Sequence, residues 1–86
     1  MQRAWVGSAE YRSAIAALKN ARQRRGVSQR ELARRVGKPP SFVNKIELLE
    51  RRLDIVEFIL IAQALGEVPG RLLDEIQAAV QNTPTE

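Results

Sequence analysis

The chain contains neither cysteine nor histidine among its 86 residues. Without cysteine there is no disulfide framework and no thiolate metal site. Without histidine the commonest general base and a principal metal ligand are missing as well. These absences argue against an enzyme and predict no metal or other cofactor. Aromatic residues are scarce, and no uninterrupted apolar run is longer than 58–62, far short of the ~20 residues a membrane helix needs. Near the N-terminus Arg3 is followed by only Ala4, Trp5 and Val6 before Gly7 and Ser8, too short a stretch for a secretory signal. The expectation is a soluble cytoplasmic chain without a membrane partner.

What is present is aliphatic and charged. The length suits one small domain with a single core. The net charge of +4 hides a division. Through Arg52 there are 13 Lys/Arg and 4 Asp/Glu; beyond it there are 1 Arg and 6 acids. Eight basic residues fall within 19–38 (Lys19, Arg22, Arg24, Arg25, Arg30, Arg34, Arg35, Lys38) against Glu31 alone. A segregated basic half is the electrostatic footprint of a polyanion binder, although a solvated charged face has the same composition.

Hydrophobic periodicity indicates an all-α chain with five helices and no strand-like alternation. Three segments are expected: an N-terminal stretch 1–8 containing Trp5, a folded domain 9–81, and a frayed polar tail 82–86. Ser8 is a suitable N-cap for a first helix over 9–25, in which Tyr11, Ala14, Ile15, Leu18 and Ala21 recur at helical spacing. Arg22 continues that apolar stripe, which predicts an ion pair; Glu47 is the candidate partner. Gly26 supplies a left-handed stop. Ser28 and Glu31 form a capping-box pattern that opens a short second helix ending at Gly37. Pro40 suits the first position of a third helix, with Val43, Ile46 and Glu47 on one side and Ser41, Asn44, Lys45 and Leu48 on the other. Asp54 and Glu57 repeat the capping pattern for a fourth helix, whose core stripe reads Ile55, Phe58, Ile59, Ala62 and Leu65. Pro69 begins the fifth, with Leu72, Leu73, Ile76 and Val80 as its apolar positions.

Two short helices around a glycine turn, the second with a polar outer face, are helix-turn-helix geometry. At this point RRGVSQRELARRVG, SFVNKIE and RRLDIVEFILIAQALG resemble the Cro- and lambda-repressor-like (XRE) family over about residues 11–76. The resemblance implies a compact five-helix lambda-repressor-like domain that binds double-stranded DNA with helix 3 in the major groove. It places Gln29 on a phosphate and against the recognition helix, and Pro40, Ser41, Asn44 and Lys45 where family members reach base edges. It makes Arg22 and Glu47 an internal structural pair. Arg30, Arg34, Lys38, Arg51 and Arg52 are candidate phosphate ligands, and Arg24, Arg25 and Arg35 solubilising charges.

The sequence also departs from the family pattern. Pro39 and Pro40 cannot donate hydrogen bonds at the mouth of helix 3. Leu48 and Leu49 replace a polar residue and a helix-ending glycine, which predicts that helix 3 runs on toward Arg51. Val56 and Leu60, with Leu49 and Leu73, make an apolar surface beyond the needs of the core, the mark of a dimer or partner interface. The implied function is a regulator of transcription, a repressor in its simplest form, acting as a homodimer on a palindromic operator at the bacterial or phage-type nucleoid. The alternative is a protein-interaction or antitoxin-like module on the same scaffold with weakened DNA binding.

Overall fold

The computed structural model describes residues 8–84; expectations for Trp5 and for the last two residues lie outside them. Five helices follow in order: α1 (Ala9–Arg24), α2 (Gln29–Arg35), α3 (Phe42–Glu47), α4 (Ile55–Ala64) and α5 (Pro69–Gln81). Among the described residues there is no strand. The long α1 lies against α5, and α3 nests between α1 and α2. The core runs through all five: Ile15, Leu18 and Ala21, then Leu32 and Ala33, Phe42, Val43 and Ile46, Ile61 and Leu65, and finally Leu72 and Ile76.

Local sequence explains most of the helix starts. The Ser8 hydroxyl accepts from the Tyr11 amide and the Ser28 hydroxyl from the Glu31 amide, satisfying N–H groups that each first turn leaves open. Asp54 and Glu57 form a complete reciprocal box. At Ser28 only half of the expected box exists. The Glu31 carboxylate accepts from Arg34 and Arg35 instead of returning to the cap, because two guanidiniums lie one turn away. Within the segment expected to fray, Thr83 is anchored. The Thr83 hydroxyl shares a 2.6 Å hydrogen bond with Ser13 of α1 and donates to the Ala79 carbonyl.

Helices α1, α2 and α4 end at Gly26, Gly37 and Gly66, each with positive φ. The α3 helix ends the same way without a glycine. Leu49 adopts φ 63°, and the next amide, Glu50, donates back to the Lys45 carbonyl at 2.8 Å. The helix therefore stops at Glu47 rather than running toward Arg51. A leucine with positive φ costs on the order of 1 kcal/mol, and Leu49 offsets this by packing half-buried against the core. Relief of strain and loss of packing oppose each other in Leu49→Gly, so its unfolding free energy should lie within about 1 kcal/mol of the parent in urea titrations. A loss of several kcal/mol would mean that packing dominates.

Helix α4 corrects the expected stripe. Its inward residues are Glu57, Phe58, Ile61, Ala62 and Leu65, while Ile55 is 74% exposed and Val56 61%. Ile59 and Leu60 face outward with them. The only charge on the helix, Glu57, is turned inward, so the outer face carries none. No described helix is long and apolar enough to cross a membrane.

Candidate nucleic-acid interface

The site is built by three hydrogen bonds that converge on one carboxylate, Glu47, at the end of α3. Arg22, late in α1, donates from Nε and Nη2 to the two oxygens of Glu47 at 2.7 and 3.0 Å. Its Nη1 donates to the Val27 carbonyl at 2.8 Å. Gln29, the first residue of α2, donates its amide to Glu47 Oε1 at 2.7 Å. One carboxylate thus ties the last turn of α3 to both α1 and α2. The Arg22 and Glu47 side chains are only 10% and 6% exposed, and a forked, fully hydrogen-bonded pair is the geometry that offsets desolvation.

The outward side of this assembly is polar and open. Lys38, Pro39, Pro40, Ser41, Asn44 and Lys45 are all exposed. Pro40 lies in a turn closed by the Phe42 amide and the Pro39 carbonyl, so α3 begins two residues later than Pro40 suggests. Proline is favoured at that turn position. Ser41 precedes the helix without making a side-chain cap, and among the described residues the Asn44 and Lys45 side chains form no hydrogen bond. Next to them Arg30, Arg34 and Lys38 rim a shallow depression of about 410 Å³ with Ser28, Glu31 and Pro40. Leu48 is exposed on the same side of α3.

The basic half is not one uniform face. Arg24 and Arg25 turn toward the acidic helices, where Arg24 pairs with Glu75 and Arg25 with Glu67. Arg35 donates to the Ala64 carbonyl at 2.9 Å, closing the end of α4. These three arginines join helices rather than merely solubilise. Arg34 is shared with Glu31. Arg51 gives both terminal nitrogens to the buried Glu57 carboxylate, and Arg52 stacks over Tyr11. Among the candidate phosphate ligands, Arg30 and Lys38 form no salt bridge among the described residues; Lys38 stands over the Phe42 ring, and its charge helps to lower the Glu57 carboxyl. The buried Phe42 went unassigned in the sequence, although its spacing from Ile46 (i, i+4) carries the signal.

These pairs shift acid equilibria in one direction. Arg34, and then Arg35, hold the Glu31 carboxyl down at about 2, Arg51 lowers that of Glu57, and Arg25 that of Glu67. The folded state then binds fewer protons than the unfolded chain. Its stability is complete above the ordinary carboxyl value of 4.5 and is lost as pH falls through the depressed folded values. Thermal midpoints should be level near neutrality and fall progressively between about pH 4.5 and 2. Because Glu31 and Glu67 are paired at the surface, added salt should shrink that fall. A midpoint that rises on acidification would contradict the assignment.

A polar recognition helix, braced from behind and exposed in front within five helices, defines a lambda-repressor-like helix-turn-helix domain. Residues 18–73 match the helix-turn-helix family. Among solved structures, the chain is similar to an XRE-family like protein from Pseudomonas syringae pv. tomato str. DC3000. The two share 43% identity and a TM-score of 0.75, over 81% of this chain and 85% of that one. No curated protein matches. The chain belongs to the XRE-family helix-turn-helix proteins, and that membership suggests a DNA-binding transcription regulator.

Proposed function

We propose that the protein is a sequence-specific transcriptional repressor that acts in the cytoplasm as a homodimer on a palindromic operator, with α3 in the major groove. The carrying observation is the exposed, uncommitted row Ser41, Asn44 and Lys45 on a helix held rigidly from behind by Glu47. Asn44 can offer a donor and an acceptor together to adenine, and Lys45 a donor to guanine or phosphate. Pro40 contributes shape and apolar contact. Gln29, Arg30, Lys38 and Arg52 meet the backbone on either side, where contacts position the protein and make affinity salt-dependent.

The dimer contact is best supported on the uncharged outer face of α4 (Ile55, Val56, Ile59, Leu60) continued by exposed Leu73. Beside it a groove of about 450 Å³ runs between α1, α4 and α5, lined by Tyr11, Leu53, Phe58 and Leu73. Leu49 drops out of this surface because it packs against the core. A contiguous apolar surface of this kind usually marks an interaction site, and a two-fold contact lets one patch serve both copies. Two α3 helices about 34 Å apart would then meet successive major grooves. Replacing Val56 and Leu60 together with lysine should leave the fold intact and shift sedimentation from dimer to monomer. An unchanged oligomer would move the interface elsewhere.

The same apolar face favours a second reading, a protein-interaction or antitoxin-like module with weak DNA binding. Selection from a randomised duplex pool separates the two. Recovery of a two-fold symmetric site supports the repressor, and recovery of no site supports the interaction module.

A further inference from the structure

The recognition helix has no direct backbone packing against α4: none of its Cα atoms lies within 8 Å of one in α4. Beside the shared core side chains, a polar link is made by Arg51. Its Nη1 and Nη2 donate to Glu57 Oε1 and Oε2 at 2.8 and 2.6 Å, and Nη1 also donates to the Arg52 carbonyl at 2.9 Å. The guanidinium stands 4.8 Å from the centroid of the Phe42 ring, which also carries the Lys38 ammonium at 5.5 Å. Phe42 is the buried first residue of α3, directly after Pro40 and Ser41. Glu57 is the third residue of α4, and its Oε1 also accepts from the Asp54 amide at 3.1 Å.

We propose that Arg51 is a positioning residue: a strut between Phe42 and Glu57 that fixes the mouth of the recognition helix relative to α4, and not a phosphate ligand. This rests on the DNA-reading function proposed above. An arginine forked on a carboxylate through both terminal nitrogens, with its guanidinium carbon over a ring, has its bidentate donor edge already engaged. Swinging it to a phosphate would strip the buried Glu57 carboxylate of its hydrogen-bonded cation. Kept in place, it holds Pro40, Ser41 and Asn44 at a set angle to the face assigned to the dimer. Base readout depends on such placement, because a displacement of about 1 Å is enough to disable oriented contacts.

Two variants of the full chain, Arg51→Gln and Phe42→Leu, test this on two probes, the duplex recovered by selection and a random-sequence duplex, each titrated at several salt concentrations. The strut predicts that both variants lose about tenfold or more in the ratio of selected to random affinity. It also predicts that the slope of log affinity against log salt on random duplex stays at the parent value. A slope shallower by about one unit in Arg51→Gln identifies a phosphate contact and overturns the proposal. Phe42→Leu alters no charge, so full retention of discrimination there overturns it as well, as does a lowered melting temperature with an unchanged ratio in both variants. If the parent protein binds neither duplex at low salt, the DNA-reading function itself fails. That result is distinct from a binder whose Arg51 variant merely loses slope.

Discussion

Replacing Glu47 with alanine should destabilise the domain by about 3–5 kcal/mol, the usual consequence of leaving a buried charge without its partner. Arg22 would keep only its bond to the Val27 carbonyl, and the Gln29 amide would lose its acceptor. Small domains are stable by roughly 5–15 kcal/mol in total, so the loss is a large share of what holds this one together. It is larger than any single surface pair could produce, because exposed pairs contribute about 0–1 kcal/mol. A double variant, Arg22→Met with Glu47→Leu, removes both charges and should recover most of the loss. Urea unfolding of the three proteins checks the argument. If Glu47→Ala costs less than about 1 kcal/mol, the carboxylate is not the junction of α1, α2 and α3 that its geometry describes.

Replacing Asn44 and Lys45 together with alanine should do the opposite, sparing the fold and removing selectivity. Both side chains are exposed and make no hydrogen bond within the described residues, so the unfolding free energy should stay within about 1 kcal/mol. Alanine even has the better helix propensity. Each well-formed base contact contributes roughly 1–3 kcal/mol of discrimination, so the pair together should weaken selected over random duplex by about 30-fold or more. Competition titrations read this directly. A melted domain would show the two residues to be structural, and unchanged selectivity would place base reading elsewhere, with Pro40 and Ser41.

Much of this molecule is written locally. Ser8, Ser28 and Asp54 start helices because their side chains accept first-turn amides, and Gly26, Gly37 and Gly66 stop them because each takes positive φ. The position of Arg22 in an apolar stripe implies a paired charge, and the pair with Glu47 is present. What the sequence hides is set by tertiary context. Helix α4 is apolar nearly all round, so periodicity assigns it no phase, and Ile55 and Ile59 face outward instead of in. Leu49 stops α3 in a conformation that leucine disfavours, a choice made by its packing and the Glu50 back-bond rather than by its identity. Arg51 and Glu57 lie on opposite sides of a turn, at no helical spacing, so neither charge pattern nor motif pairs them. The division into basic and acidic halves has the same limit. Sequence alone cannot tell a cation that faces a phosphate from Arg24 or Arg25, which face Glu75 and Glu67.

The most direct measurement is an anisotropy titration of the intact chain on random-sequence duplex DNA at two salt concentrations. A groove-reading helix flanked by Arg30, Lys38 and Arg52 should bind at low salt and weaken steeply as salt rises, through release of counterions from the contacted phosphates. Absence of binding at low salt, or affinity indifferent to salt, would contradict the assignment of residues 27–47 as a DNA-reading surface.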